Sequence, residues 1–368
     1  MRTKSHGLVP LSLSAGLLVA ACAAAHPPTP SPPAGTAAAP AETPLVLGSG
    51  QPAPVPGLVS EARPGMGTIL QLQARAVGRG RVRAAFDAAF AELERVEAMM
   101  SEWRPDSAVT ALNRGAGGPP TAVPAELLAL LQQAEEVSRL TGGAFDVTWA
   151  GLRGLWRFDD GATPPTEQQI AARLPLVDHH QLTLDPKAGT AQLAREGMAV
   201  GLGGIAKGYG VDRAAQVLRE AGLTDFIVFA GGDLYLSGER SPGVPWRVGL
   251  QHPRRPGALI ATIDAPPGAV VTSGDYEHSF EHEGVRYHHI LSPETGRPAR
   301  GCISLTVLSQ DATLADALAT GMFVMGAERA LELAESLPGV EAVVVSAGDP
   351  LSVRSTSGLQ GKLRVHAR

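Results

Sequence analysis

The chain has 368 residues, of which 44% are hydrophobic and 18% are charged. This composition is ordinary for a soluble globular protein, and the length is sufficient to bury a sizeable core. The formal net charge of −5 gives no electrostatic reason to expect nucleic acid as a partner. A strongly anionic ligand would therefore need a local cluster of positive charge, or a metal.

The first residues have the order of a secretory signal. Arg2 and Lys4 precede an apolar run over residues 8–19, and Ala20, Ala21 and Cys22 follow it. The run is too short for a membrane-spanning helix. The residues before Cys22 resemble a bacterial lipobox, in which the cysteine takes a diacylglyceryl group and becomes the new N-terminus. The alternative is an ordinary signal peptide with Cys22 incidental.

We therefore predict a lipoprotein signal peptide over residues 1–21, a membrane lipid anchor at Cys22, and a location on the periplasmic or other extracytoplasmic side. Residues 23–56 are almost entirely Ala, Pro, Thr, Ser and Gly, a composition that cannot repay the entropy of ordering. The predicted organisation is an anchored tether over residues 22–62 and one folded domain over residues 63–368. Cys302 would then have no disulfide partner.

Strands and helices are mixed along the folded domain, without an internal repeat. Apolar alternation and helical spacing predict a strand over residues 66–76, helices over 79–100 and 125–141, and a loop over 101–118. Further strands are predicted over residues 198–202, 225–230, 246–251, 259–263, 270–273, 285–291 and 304–309 and near Val343, and further helices over 209–221, 314–325 and 327–336. Long helices with hairpin-spaced strands indicate an α+β fold with mixed, largely antiparallel sheets and packed helices.

Residues 201–212, with the sequence GLGGIAKGYGVD, predict a glycine-rich turn between a strand and a helix. Backbone N–H groups and the helix N-terminus would meet a phosphate there, and Lys207 adds a full charge. Gly201-x-Gly203-x-x-Ala206 also satisfies the dinucleotide-binding fingerprint, whereas the P-loop pattern fails because Ala206 precedes the lysine. A plain tight turn with a surface lysine is the other interpretation.

A second segment predicts a cation site. Asp316 and Thr320 are four residues apart, so on a helix they share a face and can both present oxygen to one hard cation. Mg²⁺ is the natural candidate, because it accepts a few protein oxygens and leaves positions for phosphate oxygens. The alternative is that Asp316 only favours the helix N-terminus and Thr320 only packs.

Three other segments carry side chains that suit a ligand site. His288 and His289 lie at a strand end and point to opposite sides of it, so at most one of them can act in a given site. Trp103 lies in a loop where it can stack on an aromatic ligand. Asp146 ends a turn after a helix and can accept a hydrogen bond. Each also has a structural interpretation as a cap or a packing residue.

Together these segments, in this order and with Met66-Gly67-Thr68 near the domain start, resemble the ApbE family of FAD:protein FMN transferases from residue 66 to about residue 326. The resemblance implies an enzyme that binds FAD with Mg²⁺ at its pyrophosphate. A threonine hydroxyl of a target flavoprotein attacks, FMN becomes phosphoester-linked to that protein, and AMP leaves.

By matching position, the resemblance also assigns roles. His289 is implied as the general base, and the metal ligands are the Gly204 carbonyl and the Asp316 and Thr320 side chains. The implied FAD contacts are Met66, Trp103, Ala144, Phe145, Asp146, Lys207 and Ile290.

One residue departs from the family pattern. The family usually has an acid where this chain has Gly201, so FAD or Mg²⁺ binding is expected to weaken, or its role to pass to Asp146 or Asp275. An aspartate at position 201 is expected to tighten FAD binding if the backbone tolerates a side chain. Two alternative functions stay open: an FAD-binding lipoprotein or FAD pyrophosphatase without efficient protein transfer, and a nicotinamide-dependent oxidoreductase using the fingerprint.

Overall fold

The structure is a computed structural model that describes residues 44–47, 53–75, 78–159, 161–348 and 350–366. The predicted signal peptide, Cys22 and the predicted tether up to residue 43 lie outside the described residues. Within these ranges, no helix is both long and apolar enough to cross a bilayer. Cys302 is buried and forms no disulfide in the described part of the chain.

The described residues contain both helices and strands. The helices are α1 (Arg79–Met100), α2 (Ala108–Arg114), α3 (Ala125–Leu140), α4 (Glu167–Arg173), α5 (Ala206–Glu220), α6 (Ala312–Met325) and α7 (Ala327–Ser336). The strands are β1 (Leu45–Leu47), β2 (Leu58–Gly65), β3 (Thr68–Arg75), β4 (Thr121–Ala122), β5 (Leu182–Asp185), β6 (Thr190–Leu193), β7 (Phe226–Ala230), β8 (Asp233–Ser237), β9 (Trp246–Gln251), β10 (Leu259–Ala265), β11 (Gly268–Gly274), β12 (Ser279–His282), β13 (Val285–His288), β14 (Ser304–Ser309), β15 (Glu341–Ser346), β16 (Ser352–Ser355) and β17 (Leu363–Val365).

The main sheet has eight strands in the order β16-β15-β14-β11-β8-β7-β3-β2, and all its neighbours pair antiparallel. A second sheet has the order β1-β9-β10-β17, in which only β1 and β9 pair in parallel. Smaller sheets join β12 to β13 and β4 to β6 and β5. The predicted α+β fold with largely antiparallel sheets is confirmed.

The main sheet is covered on both faces, and β7 shows how. All five of its residues are buried. Phe226 and Val228 pack into the core shared with the helices, whereas Ile227 and Phe229 pack into the core shared with the second sheet. Because successive side chains of a strand point to opposite faces, a strand covered on both sides becomes continuously apolar.

The fold begins upstream of the boundary predicted at residue 63. β1 pairs with β9 and β2 pairs with β3 along its whole length. Leu45 and Val55 are buried in the core beneath the second sheet. The prediction of a tether up to residue 62 was wrong for these residues, because a few apolar side chains in an Ala/Pro-rich stretch are enough when an open sheet edge receives them.

Two other local predictions were wrong. Residues 101–118 contain α2, whose N-cap Ser107 accepts a hydrogen bond from Thr110 N at 3.0 Å. Residues 198–202 form no regular strand; Val200 and Asn113 exchange backbone–side-chain hydrogen bonds there, and Gly201 N donates to Val147 O at 2.7 Å. These bonds satisfy the backbone without a neighbouring strand.

Candidate active site

The site is built where α5 crosses α6, and a glycine makes the crossing possible. A Cβ placed on Gly208 would lie 2.1 Å from Ala312 O and 2.8 Å from the Asp316 Cβ. Asp212, one helical turn along α5, accepts hydrogen bonds from the Ala312 and Thr313 amides at 2.8 Å each. These contacts fix the start of α6 against α5, so that the later turns of α6 face the start of α5.

A buried charge cluster lies at this crossing. Lys207 Nζ, in the first turn of α5, is 3.2 Å from Asp233 Oδ2 and 3.4 Å from Asp316 Oδ1. Asp316 Oδ2 also accepts a hydrogen bond from Gly208 N at 3.0 Å. The Asp233 and Asp316 side chains are 2% and 4% exposed, while Lys207 retains 25%. α5 begins at Ala206 rather than at the predicted residue 209, which brings the lysine to the positive end of the helix.

Two buried carboxylates share one ammonium in this cluster. Burial raises the pKa of Asp233, and the nearby Asp316 carboxylate raises it further against the opposing effect of Lys207. Burial lowers the pKa of Lys207, but the two carboxylates overcome this and hold the pKa above its usual value. The raised pKa of Asp233 reflects repulsion between the two carboxylates, and a second cation at this place would relieve that repulsion.

The predicted metal ligands meet at the same place. A Cβ placed on Gly204 would lie 2.9 Å from Thr320 Oγ1, so the backbone of the glycine turn touches the α6 face that also carries Asp316. A carbonyl, a hydroxyl and a carboxylate are the hard oxygen donors that suit Mg²⁺. The described residues contain no group of three His, Cys, Asp or Glu side chains that could hold a metal. A cation here would therefore depend on the backbone and the hydroxyl.

The two adjacent histidines have different environments. His288 is 3% exposed; its Nε2 is 2.9 Å from Ala299 O and its Nδ1 accepts from Ile290 N at 3.3 Å. Both nitrogens serve the fold, with Nε2 as the donor because a carbonyl can only accept. His289 Nδ1 is buried and has no hydrogen-bond partner among the described residues. Its ring contacts that of His278 edge to face at 5.3 Å between ring centres.

Burial lowers the pKa of His289 to about 3, with smaller contributions from His278, His288 and Lys207. At neutral pH His289 is therefore uncharged, and one ring nitrogen is free to accept a proton.

Four of the predicted FAD contacts lie near the glycine turn or at the surface: Met66, Trp103, Ala144 and Phe145. Met66, with a positive φ of 51°, packs its side chain against Gly210 of α5, since a Cβ there would lie 2.9 Å from Met66 Sδ. Phe145 borders the glycine turn, since a Cβ placed on Gly204 would lie 3.3 Å from its ring. Ala144 directly precedes Phe145, in the turn that follows α3. Trp103 is 75% exposed.

Asp146 and Ile290 are held by the protein itself. Asp146 accepts from Thr148 N and from His179 N at 2.7 and 2.9 Å, and burial raises its pKa. Ile290 is 6% exposed, and its backbone N–H and C=O both have protein partners. Neither residue presents a free polar group to the cluster.

Position 201 is closed to a larger side chain. Gly201 does not have a left-handed φ, yet a Cβ there would lie 2.6 Å from Glu102 Oε2 and 2.9 Å from the Trp149 ring. Asp275, one suggested substitute for the missing acid, is occupied by a bidentate pairing with Arg254 at 2.7 and 2.6 Å. The expectation that an aspartate at 201 would simply tighten binding is corrected by these contacts.

Sequence reasoning also missed two acids of the site. Asp233 follows a buried strand and two glycines. An acid directly after a buried strand is a common position for a ligand-binding residue, and this pattern could have predicted its role. Glu102 gave no signal, because its position beside Gly201 depends on contacts between segments about 100 residues apart. The oxidoreductase hypothesis fails on topology. β7, the strand after α5, pairs antiparallel with β3 and β8, and in the described part of the chain only an isolated bridge at Ala199 precedes the glycine turn, where a dinucleotide-binding βαβ unit needs a strand parallel to β7.

The fold and site define a class: an α+β protein with a glycine turn, a helix N-terminus and a lysine suited to phosphate, beside oxygen donors suited to a hard cation. The model of the ApbE family matches residues 66–344. The FAD:protein FMN transferase of Vibrio cholerae is 38% identical over 249 residues, covering 66% of this chain and 74% of the relative. That of Treponema pallidum is 35% identical over 305 residues, covering 77% and 82%.

Solved structures agree with these relatives. The crystal structure of the ApbE protein from Thermotoga maritima has a TM-score of 0.76 and 31% identity, covering 83% of this chain and 99% of that one. The flavin transferase ApbE from Vibrio cholerae has a TM-score of 0.74 and 32% identity, with the same coverage. The chain belongs to the ApbE family.

Proposed function

We propose that this protein is a magnesium-dependent FAD:protein FMN transferase, which moves the FMN half of FAD to a threonine hydroxyl of a target flavoprotein and releases AMP. The observation that carries the proposal is the Lys207–Asp233–Asp316 cluster against Gly204 and Thr320 at the N-terminus of α5. The printed names of the relatives, FAD:protein FMN transferase, support the same reaction class.

The protein groups in this site contribute charge and alignment. Phosphoryl transfer depends on neutralising the phosphate oxygens and placing the nucleophile in line, more than on covalent help. Mg²⁺ held by Gly204 O, Asp316 and Thr320 would supply Lewis-acid neutralisation of the pyrophosphate. Lys207 adds a fixed positive charge beside it, and Asp233 keeps the ammonium oriented.

His289 is proposed to take the proton of the acceptor hydroxyl. Its uncharged imidazole has a nitrogen without a protein partner. A pKa near 3 makes a weak base, but the negative pyrophosphate of bound FAD would raise that pKa toward neutrality. The base would therefore become effective when substrate is in place.

Export and anchoring form the second part of the proposal. The charged start, the apolar run and the lipobox-like residues before Cys22 support a lipoprotein held at the extracytoplasmic face of a membrane, with the Ala/Pro-rich stretch as a spacer. This location would place the enzyme beside exported flavoproteins that carry an acceptor threonine.

The decisive experiment incubates the protein with FAD, Mg²⁺ and a threonine-containing acceptor domain. We expect a mass increase of the acceptor that corresponds to FMN, and AMP in equal amount. An acceptor with threonine replaced by valine is the control. AMP release without acceptor labelling would instead indicate an FAD pyrophosphatase, and FAD binding without AMP release would indicate a flavin carrier.

A further inference from the structure

A second buried ion pair lies beside the glycine turn, outside the Lys207 cluster. Glu102 Oε2 is 3.0 Å from Arg153 Nη2, and the two side chains are 8% and 29% exposed. Burial raises the pKa of Glu102, against the opposing effects of the Arg153 charge and the Leu202 amide. Leu202 belongs to the glycine turn, so the carboxylate is in contact with the segment that precedes α5.

The carboxylate occupies the space of the absent side chain at position 201. A Cβ on Gly201 would lie 2.6 Å from Glu102 Oε2, which is closer than an unbonded carbon and oxygen approach in proteins. Glu102 could not occupy this position if residue 201 had a side chain. The observed position of Glu102 therefore depends on glycine at position 201.

The cation of the pair faces an aromatic ring. The Arg153 guanidinium carbon is 5.0 Å from the centre of the Trp103 ring, within the range of a cation–π interaction. Trp103 is nevertheless 75% exposed, so most of its surface remains available to a planar ligand. Glu102 thus connects the glycine turn to this ring through a single arginine.

Stability alone does not account for the pair. Arg153 Nε is buried without a hydrogen-bond partner in the described part of the chain, and Glu102 Oε2 and Arg153 Nη2 have no hydrogen bond of good geometry beyond the 3.0 Å ion pair that they form with each other. Desolvating such a pair costs about as much as its attraction returns, so its net contribution to stability is small. The pair does connect the glycine turn to Trp103, through Arg153 at 3.0 Å from Glu102 and 5.0 Å from the ring centre.

We propose that Glu102 supplies the carboxylate that position 201 lacks, and that with Arg153 it positions Trp103 to hold a planar ring of FAD beside the phosphate-binding turn. This inference rests on the proposed function. Glu102 and Arg153 are positioning residues, because they act through the turn and through Trp103.

The test moves the carboxylate from position 102 to position 201. FAD binding is measured by calorimetric titration in the presence of Mg²⁺, and stability is measured by thermal unfolding. We expect Glu102→Gly to weaken FAD binding roughly tenfold, the equivalent of about 1.4 kcal/mol. Gly201→Asp alone should weaken binding and lower the melting temperature, because its side chain meets Glu102 and Trp149. The double variant Glu102→Gly/Gly201→Asp should lose less FAD affinity than the two single losses added together, because the contact with Glu102 is gone although the contact with the Trp149 ring remains.

A matched control removes a carboxylate elsewhere. Glu283, whose side chain is 86% exposed in the turn between β12 and β13, can be changed to glutamine, which keeps a side chain at this position of positive φ, and should alter neither FAD binding nor unfolding. In steady-state assays Glu102→Gly should raise KM for FAD with kcat nearly unchanged, because Lys207 and Asp316 are untouched. General loosening of the fold would instead lower kcat as well.

Additive losses in the double variant, in both FAD affinity and melting temperature, would overturn the inference. An equal fall in kcat and kcat/KM for Glu102→Gly would also overturn it. Failure of the proposed function has a different signature: wild type binds FAD and the losses in the double variant are not additive, but wild type transfers no FMN to an acceptor. Wild type that binds no FAD would refute both.

Discussion

Replacing Gly208 by alanine tests whether the closeness of α5 and α6 sets the activity. The added methyl would lie 2.1 Å from Ala312 O, whereas unstrained carbon–oxygen contact begins near 3.4 Å, so the helices must separate by about 1.3 Å. The neighbouring atom is backbone, so no side chain can rotate away. The separation would also stretch the 3.0 Å hydrogen bond from Gly208 N to Asp316.

The expected magnitudes follow from two opposing effects. Overpacking of a closely packed contact costs about 1–3 kcal/mol, while alanine in place of glycine favours the helix by about 1 kcal/mol. We expect a net loss in the free energy of unfolding of up to about 2 kcal/mol. Displacing Asp316 by about 1 Å should lower FMN transfer about a hundredfold.

Urea unfolding and a single-turnover FMN transfer assay measure the two effects. Gly80→Ala is the matched control, because Gly80 is also a helical glycine, lies in α1 outside the site, and its added methyl would meet no atom beyond its chain neighbours within 4 Å. If Gly208→Ala retained full transfer activity with unchanged stability, the proposed dependence of the site on this helix crossing would be refuted.

The remaining predictions concern the metal, the base and the anchor. Chelation should abolish FMN transfer and added Mg²⁺ should restore it. Asp316→Ala should lower transfer more than Thr320→Ala, because it removes a charge as well as a ligand. Full activity of Asp316→Ala in excess chelator would exclude this metal site. Because the pKa of His289 falls on folding from near 6.5 to about 3, its burial lowers stability progressively as pH drops below 6.5. Between pH 7 and pH 5 the free energy of unfolding should therefore fall less for His289→Asn than for wild type, as measured by urea unfolding at each pH. An equal fall in the two proteins would contradict the burial of His289. Cys22→Ser should leave the precursor unprocessed or release the protein from membranes. A mature wild-type N-terminus that mass spectrometry finds without lipid would refute the anchor.

Elements with strong periodicity could be predicted from the chain alone. The apolar spacing over residues 79–100 and the continuous apolar run before Gly231 correspond to α1 and β7. The pairing of Asp316 with Thr320 on one face of α6 also follows from helical geometry, because residues four apart are neighbours on any α-helix. β1 and β2 escaped prediction because their order comes from the strands β9 and β3 that receive them.

The sequence by itself determined the types of group in this protein: a glycine turn with Lys207, an acid and a hydroxyl on one helical face, and a pair of adjacent histidines. These properties are local, since they depend on the chemistry of neighbouring residues and on the helix and strand repeats.

The tertiary structure alone decided how these groups are used. It brought Asp233 to Lys207, assigned the structural role to His288 and the free nitrogen to His289, and placed Glu102 against Gly201. Each of these relations joins segments far apart in the chain, or depends on which neighbour satisfies a buried polar atom. Burial and hydrogen bonding act between residues that only the packed core brings together, and no local repeat encodes them.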